Sequence, residues 1–251
     1  MNIIQRFYDD MASQYDKLFL DWEAATAEQA LLLDRLFKEY GFDKTAAVLD
    51  CASGIGTQAI GLAALGYSVA ASDISDGELE EAKVRAERKG VGIRFAHADF
   101  RALEDAFSER FDIVICMDNA LPHMLTESDL SAAVKSIADQ IVPGGIFVAS
   151  IRDYDVLLAS KPPYSPPYIH KTANGQRVSF QTWTWEDIRY RLTQYIIDDG
   201  EALQVHKFDC EYRALRRQEL TELLLARGYG KAEWRFPEET GFYQPIVIAT
   251  K

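Results

Sequence analysis

The segment Val48–Gly56 joins a short apolar run to a glycine-containing turn, and it carries one acidic side chain, Asp50. Gly54 and Gly56 allow a ligand to approach the backbone closely, and the amides of a following helix would point at that ligand. A second acid, Asp73, follows the next apolar run, at the spacing expected of a ribose-binding carboxylate. These residues indicate a site for a ligand that contains a nucleoside.

Two ligand classes are compatible with this turn. The pattern Gly54-x-Gly56-x-x-Ala59 matches the loose dinucleotide fingerprint, which would make the protein an NAD(P)-dependent oxidoreductase. Asp50 argues against a dinucleotide, because a carboxylate at the mouth of the turn repels a pyrophosphate. The same carboxylate attracts the ammonium and the sulfonium of S-adenosylmethionine. We therefore favour that ligand, bound either by a methyltransferase or by a noncatalytic binding protein.

The elements around these residues alternate between strands and helices as far as Arg152. Near-continuous apolar runs predict buried parallel strands over Ala46–Cys51, Tyr67–Ser72, Ile93–Ala96, Phe111–Met117 and Ile146–Ile151. Helical spacing of apolar residues predicts helices over Asn2–Tyr15, Ala24–Tyr40, Thr57–Leu65, Asp76–Lys89 and Glu127–Ile141, the last terminated by Pro143-Gly144-Gly145. This alternation is typical of βαβ units.

The pattern changes after Tyr154. Lys161–Tyr168 is rich in proline and predicts an irregular loop. Alternating aromatic and β-branched residues predict an antiparallel extension over Val178–Trp185, Arg189–Ile197 and Leu203–Tyr212. A helix over Arg217–Arg227 and closing strands over Ala232–Phe236 and Pro245–Thr250 complete the chain. We expect an α/β fold: a Rossmann-like, doubly wound, mostly parallel seven-stranded sheet with helices on both faces, the antiparallel β extension and an N-terminal helical lid.

These elements predict one domain over residues 1–251, with four parts in chain order. The parts are an N-terminal helical lid (1–41), a cofactor-binding core (42–154), an inserted β cover (155–214), and a C-terminal helix with closing strands (215–251).

Composition excludes several classes of function. The chain has 251 residues and a net charge of −12, which disfavours nucleic acid and anionic membrane surfaces as partners. Its three cysteines are widely spaced, so we expect neither a disulfide scaffold nor a metal site. Since no apolar run approaches the length of a membrane span, we expect a cytoplasmic protein. We expect it to act on a small molecule, and a homo-oligomer is compatible with the sequence.

The order of the motifs resembles the class I S-adenosylmethionine-dependent methyltransferases. Val48–Gly56, Asp73, Asp99-Phe100 and Pro143-Gly144-Gly145 carry this resemblance. More narrowly, the chain resembles the glycine and glycine/sarcosine N-methyltransferases. That likeness rests on Cys116-Met117-Asp118-Asn119 followed by His123, on Arg152-Asp153-Tyr154-Asp155, and on an aromatic tail containing Tyr212.

The resemblance implies S-adenosylmethionine as cofactor and S-adenosylhomocysteine as product, with no metal. It implies that the turn residues Asp50, Ala52, Ser53, Gly54 and Gly56 contact the cofactor, mostly at its methionine end. It also places Asp73 and Ile74 at the ribose, Asp99 and Phe100 at the adenine with Met117 nearby, and Asn119 and His123 near the methyl group. In the lid, the candidates for covering the cofactor are Tyr8, Tyr15, Trp22 and Gln29.

The expected reaction is methyl transfer by in-line displacement to a small-molecule acceptor, an amine such as glycine, sarcosine or another small amine. His123 would accept the amine proton or orient the nitrogen lone pair, with Asn119 beside it, and Arg152 would hold an anionic end of the acceptor. Tyr212 and Tyr243 are candidates for an aromatic cage around a methylated nitrogen.

Three departures from the glycine enzymes leave the acceptor open. They are Asp118, the sequence Ala120-Leu121-Pro122-His123, and the proline-rich stretch Pro162–Pro167. O-methylation and sugar-amine methylation therefore stay as alternatives.

Overall fold

The computed structural model describes residues 3–173 and 175–251. Its α-helices are α1 (Ile3–Met11), α2 (Trp22–Glu39), α3 (Thr57–Ala64), α4 (Asp76–Lys89), α5 (Glu127–Asp139), α6 (Tyr154–Ser160), α7 (Arg217–Ala226) and α8 (Pro237–Thr240). Its strands are β1 (Ala47–Asp50), β2 (Ser68–Asp73), β3 (Arg94–His97), β4 (Phe111–Cys116), β5 (Ile141–Ser150), β6 (Tyr168–Thr172), β7 (Gly175–Glu186), β8 (Arg189–Asp199), β9 (Leu203–Arg213), β10 (Lys231–Arg235) and β11 (Ile246–Thr250).

The central sheet has seven strands in the order β10-β11-β5-β4-β1-β2-β3. The pairs β5–β4, β4–β1, β1–β2 and β2–β3 are parallel, whereas β10–β11 and β11–β5 are antiparallel. The strand order reverses between β1 and β4, so the carboxyl ends of these two strands border a crevice in which α/β folds bind ligands. The predicted fold class is confirmed.

Alternating side chains of the central strands build a core on each face of the sheet. Leu49 and Val114 pack into one cluster with residues of α5 and α7, such as Ile137. Val48 and Ile113 pack into the opposite cluster with residues of α2 and α3. Because both faces are covered, the parallel strands read as continuous apolar runs rather than as alternating ones.

A second, antiparallel sheet of four strands, β6-β7-β8-β9, forms the predicted extension. Helix α1 lies against this sheet, where Phe7 meets Phe208 of β9 edge to face with ring centroids 6.5 Å apart. The N-terminal segment therefore packs against the second sheet. The division of the chain into lid, core, cover and closing segment stays a prediction.

The predicted single helix over Asn2–Tyr15 is wrong beyond Met11, and its first residue lies outside the described residues. The chain tightens there into a 3-10 helix, Ala12–Leu18. Tertiary contacts fix this segment, since Lys17 bonds Asp198 at 2.8 Å and Asp16 pairs with Arg85 at 3.3 Å. Such contacts override a local preference for regular α-helix.

Pro143-Gly144-Gly145 does not terminate a helix as predicted, because α5 already ends at Asp139. The three residues lie inside β5, whose pairing with β4 shifts register between Phe111 and Ile113. Gly144 has φ +83°, a conformation in which glycine avoids the strain that a side chain brings. The interruption is therefore a β-bulge in a strand that begins at Ile141.

Three described elements from Tyr154 onward were not predicted: α6, β6 and the four-residue helix α8. Helix α6 begins with Asp153 as its N-cap, whose side chain accepts a hydrogen bond from the Val156 amide. Strand β6 begins at Tyr168, inside the predicted irregular loop, and pairs with β7. Within the described ranges, no helix is long and apolar enough to cross a membrane.

Candidate active site

A cavity of about 720 Å³, part of which is open to solvent, lies beside the carboxyl ends of β1, β2 and β4. Eleven of the residues predicted to bind cofactor line it: Tyr8, Tyr15, Ala52, Ser53, Gly54, Asp73, Ile74, Asp99, Phe100, Met117 and His123. The structure brings these side chains together from five separate stretches of the chain; their contact with a cofactor stays a prediction.

The other predicted cofactor residues are not among those that line the cavity: Trp22, Gln29, Asp50, Gly56 and Asn119. The Trp22 indole donates to Oγ1 of Thr57 at 3.0 Å, and Gln58 Nε2 donates to Gln29 Oε1 at 2.7 Å. Since Thr57 and Gln58 line the cavity, Trp22 and Gln29 support wall residues rather than forming the wall.

Backbone hydrogen bonds from both neighbouring strands fix the glycine turn. The Cys51 amide donates to Ile115 of β4 at 3.0 Å, and the Ser53 amide donates to Ser72 of β2 at 3.0 Å. Gly56 has φ +89°, and a Cβ there would lie 2.7 Å from Cδ1 of Ile60. The turn is therefore rigid, and its second glycine is required both by conformation and by space.

Asp73 ends β2 and holds the turn from the other side. Its Oδ2 accepts from the Gly54 amide at 2.8 Å, and its Oδ1 accepts from the Ser75 amide at 2.9 Å. Each carboxylate oxygen has a further lone pair available. Asp73 can therefore accept hydrogen bonds from a ligand without releasing the turn.

Asp50 is fully buried at the end of β1, directly before Cys51, which lines the cavity. Its Oδ1 accepts from the Ala52 amide at 3.4 Å, while its Oδ2 has no hydrogen-bonding partner. Burial, together with the charges of Asp73 and Asp118, raises the pKa of Asp50 to about 8. A buried carboxyl with one unpartnered oxygen fits a cationic ligand, which would supply the missing partner.

The raised pKa of Asp50 predicts a pH dependence of stability. Because unfolded Asp50 loses its proton near pH 4 and folded Asp50 near pH 8, the ligand-free protein should lose stability as the pH rises between these values. Asp50→Asn removes this contribution. The free energy of unfolding of the variant minus that of the wild type should therefore increase with pH, by up to about 1.4 kcal/mol per pH unit. Urea unfolding from pH 5 to 8 measures it; parallel curves for the two proteins would contradict it.

His123 lies on a 3-10 turn after β4 and is buried between two tyrosines. Its Nε2 is 2.8 Å from the Tyr8 hydroxyl, and its Nδ1 is 3.3 Å from the Glu211 carbonyl. Since a carbonyl only accepts, Nδ1 carries the proton, and Nε2 accepts from Tyr8. The Tyr212 ring stacks on the imidazole at 4.1 Å between centroids.

These contacts disfavour His123 as the acceptor of a proton. Burial, aided by the charge of Arg152, lowers the pKa of His123 to about 3. The imidazole is neutral at physiological pH and a weak base. It is better suited to fixing Tyr8, and with it helix α1, over the cavity.

Helix α1 is also attached to the start of α4. Oδ1 of Asp9 accepts from the Ser75 hydroxyl at 2.7 Å and from the Gly77 amide at 3.0 Å. Tyr8 and Asp9 therefore connect the N-terminal segment to two walls of the cavity.

Asp118 and Asn119 follow β4 in left-handed backbone conformations, with φ values of +56° and +69°. Such conformations are uncommon for residues with side chains and cluster at functional sites. Each Asp118 oxygen accepts one hydrogen bond, from Tyr243 at 2.7 Å and from Gln58 at 2.8 Å. Burial raises the pKa of Asp118, although these bonds oppose the shift.

Asn119 connects the end of β4 to the end of β5. Its Oδ1 accepts from the Arg152 amide and from the Tyr154 hydroxyl, each at 3.0 Å. Its Nδ2 is buried and has no partner, which makes this amide a candidate donor to a ligand.

Arg152 lies in an aromatic pocket under the second sheet. Its guanidinium donates to the Tyr190 hydroxyl at 3.0 Å and to Gln181 Oε1 at 2.9 Å. It also lies over the rings of Trp183 and Tyr212, at 5.1 Å and 5.5 Å from their centroids. No ion pair of Arg152 occurs within residues 3–173 and 175–251, so its charge is available to an anionic ligand.

Other possible partners and cage members lie elsewhere. Asp153 and Asp155 both pair with Arg217 rather than with Arg152. Of the tail aromatics, Tyr168 is 65% exposed, and Tyr195 stacks on Phe180. Tyr243 is 60% exposed and holds Asp118 through its hydroxyl. Only part of the predicted aromatic cage therefore adjoins the site.

Several cavity residues were not predicted from the sequence as cofactor ligands: Ile4, Cys51, Ile55, Thr57, Gln58, Glu78, Asp118, Ala120 and Met124. Glu78 lies in an acidic stretch that is typical of a solvated helix face. A signal was nevertheless present, because Glu78 shares one helical stripe with the buried alanines Ala82 and Ala86.

In the part of the chain that the structure covers, no three His, Cys, Asp or Glu side chains are grouped to hold a metal ion.

The sheet order and a cavity at the switch point define an α/β nucleotide-binding fold. Residues 48–145 match the family described as Methyltransferase domain. Over this stretch the chain is similar to a methyltransferase domain. This match supports the methyltransferase alternative for the glycine turn over the dinucleotide one.

Relatives and solved structures agree with this assignment. A glycine/sarcosine N-methyltransferase from Aphanothece halophytica is 30% identical over 152 residues, which are 61% of this chain and 56% of that protein. The chain thus spans about half the length of the curated relatives it matches first.

Two solved structures share the fold. One is an S-adenosylmethionine-dependent methyltransferase from Clostridium acetobutylicum, with TM-score 0.75, 18% identity and coverage of 97% of both chains. The other is an amino pentose methyltransferase from Micromonospora echinaspora, solved with S-adenosylmethionine bound, with TM-score 0.72, 17% identity and coverage of 90% of this chain and 91% of that one.

Proposed function

We propose that the protein transfers a methyl group from S-adenosylmethionine to the amine nitrogen of a small molecule and releases S-adenosylhomocysteine. The observation that carries the proposal is Asp50, a fully buried carboxyl with an unpartnered oxygen beside the glycine turn of a methyltransferase domain. A cationic nucleoside ligand satisfies this carboxyl, and a pyrophosphate does not.

The cavity provides for each part of such a cofactor. Asp50 and the Gly54 turn face the cationic amino-acid end, Asp73 the ribose, and Asp99 and Phe100 the adenine. When bound, S-adenosylmethionine supplies a methyl group on a positively charged sulfur. The protein needs to align a lone pair with that methyl group and to exclude water. Tyr8, held by His123, covers the cavity and serves the second purpose.

The acceptor would bind between Asp118, which lines the cavity, and Arg152, whose backbone amide is bonded to Asn119, the residue after Asp118. Arg152, in its aromatic pocket, would hold a carboxylate of the acceptor. Asp118 would bind the amine end and, because burial raises the pKa of its carboxyl, would accept the proton that the ammonium form must lose before its lone pair can attack. A small amino acid or a related amine that carries a carboxylate suits both groups.

The test is a methyl-transfer assay on a panel of acceptors. With a methyl donor labelled on the transferred methyl group, we expect the label to appear in small amines that carry a carboxylate. S-adenosylhomocysteine should also raise the unfolding temperature, as any ligand of the native state does.

Each alternative gives a distinct result on the same panel. Labelled amino sugars or labelled hydroxyl groups would indicate the sugar-amine or the O-methyl alternative. Tight S-adenosylhomocysteine binding with no transfer to any acceptor would indicate a noncatalytic binding protein. A thermal shift with NAD(H) but none with S-adenosylhomocysteine would refute the proposal.

A further inference from the structure

Glu78 is a fully buried carboxyl on the cavity wall that nothing in the protein satisfies. It lies in the first turn of α4, where its backbone amide donates to Ser75 Oγ at 3.0 Å. Neither of its carboxyl oxygens has a hydrogen-bonding partner. Because a buried polar group without a partner costs free energy, such a group requires an explanation.

The charged neighbours of Glu78 do not pair with it. Arg85, on the same helix, bonds Asp16 and Glu81 instead, at 3.3 Å and 3.5 Å. Asp73 and Asp9 are the acids close enough to act on it. Burial and the charge of Asp73 raise the pKa of Glu78 well above its usual value. The nearby Ile55 amide, which does not reach hydrogen-bonding geometry, and the charge of Arg85 oppose this shift.

Glu78 and Asp73 flank the same residue, Gly54. Oε2 of Glu78 lies 2.6 Å from the position that a Cβ on Gly54 would occupy, and Oδ2 of Asp73 accepts from the Gly54 amide at 2.8 Å. Gly54 itself has φ +51°. The absence of a side chain at Gly54 thus leaves room for two carboxyl groups at one corner of the cavity.

We propose that Glu78 is a second carboxyl ligand, beside Asp73, for the vicinal hydroxyl groups of the cofactor ribose. This inference rests on the proposed function, since it takes the ligand to be an adenosyl compound. A vicinal diol offers two adjacent hydroxyl donors, and two carboxyl groups at one corner offer matching acceptors. A carboxyl keeps a carbonyl acceptor even when it is protonated.

The principal test is Glu78→Met, with Glu80→Met, an exposed position on the same helix, as the matched control. Calorimetric titration with S-adenosylhomocysteine and with 5′-methylthioadenosine, which has the ribose but lacks the amino-acid end, should show both affinities reduced about 10- to 100-fold by Glu78→Met. Glu80→Met should leave both affinities within twofold of the wild type.

The ligand-free variant provides a readout that a merely structural role would move in the opposite direction. Because Glu78→Met removes an unpaired buried carboxyl, its unfolding temperature should equal or exceed that of the wild type. A glutamate that only stabilised the fold would give a lower unfolding temperature when replaced.

Glu78→Gln keeps the test decisive should the methionine variant fail to fold. Its affinity for 5′-methylthioadenosine should be about threefold lower than that of the wild type. Two analogues, one lacking the 2′ hydroxyl and one lacking the 3′ hydroxyl, are then compared, and for at least one of them the variant and the wild type should bind with equal affinity. An unchanged ratio for both analogues would overturn the inference, because Glu78 would then be insensitive to the ribose hydroxyls.

Further outcomes separate this inference from the proposed function. Weaker binding of S-adenosylhomocysteine by Glu78→Met with unchanged binding of 5′-methylthioadenosine would place Glu78 at the amino-acid end and overturn it. Wild-type affinity of folded Glu78→Met for both ligands would overturn it as well. Failure of the wild-type protein to bind either ligand would instead refute the proposed function, and the inference with it.

Discussion

Asp73→Ala should weaken the binding of S-adenosylhomocysteine by about 100- to 1000-fold, since it removes a carboxylate expected to accept hydrogen bonds from the ribose hydroxyl groups. Loss of this carboxylate also frees the Gly54 and Ser75 amides, which it holds at 2.8 Å and 2.9 Å. Both effects act on the same ligand pocket. Calorimetric titration gives the affinity, and the ligand-induced rise in unfolding temperature should disappear at ligand concentrations that saturate the wild type.

Asp76→Ala is the matched control for this prediction. Asp76 lies three residues further along the chain, and its exposed carboxylate pairs with His97 at 2.7 Å. The control should bind S-adenosylhomocysteine like the wild type. Far-ultraviolet circular dichroism of ligand-free Asp73→Ala checks that the variant is folded; a folded variant with wild-type affinity would remove Asp73 from the site.

The sequence predicted the central fold well because its signals there are local. In β1 and β4, apolar runs end at Asp50 and Cys116, and helices such as α4 have a serine N-cap and a glycine C-cap. The bulge in β5 escaped prediction because Pro143–Gly145 has the composition of a turn. Only pairing with β4 and β11 makes that segment part of a strand.

The site was predictable where a side chain follows a strand, and less so where distant segments meet. The end of β2 locates Asp73 at the cavity, since parallel strands share one carboxyl edge. Nothing local indicates that Tyr8 meets His123, 115 residues away, or that Tyr243 holds Asp118, 125 residues away. The low pKa of His123 likewise depends on burial by elements that lie far away in the sequence.

Removal of the Arg152 charge is the change that we expect to affect turnover most. Replacing Arg152 with methionine should lower kcat/KM for a carboxylate-bearing acceptor by about 100- to 10 000-fold, because a buried charge-assisted pair is lost. A neutral acceptor does not use the guanidinium and should be methylated at nearly the wild-type rate. The ratio of kcat/KM for a carboxylate acceptor to that for its neutral amide measures the effect.

Arg191→Met, on β8, is the matched control. The Arg191 side chain is 65% exposed. Among the described residues its only ion pair is with Glu211 at 3.7 Å, and neither residue lines the cavity. This variant should keep the wild-type ratio of kcat/KM between the two acceptors.

Equal losses of kcat/KM for both acceptors in Arg152→Met would show that Arg152 supports the aromatic pocket of Tyr190 and Trp183 rather than the acceptor. An unchanged ratio with full activity would remove Arg152 from acceptor binding altogether.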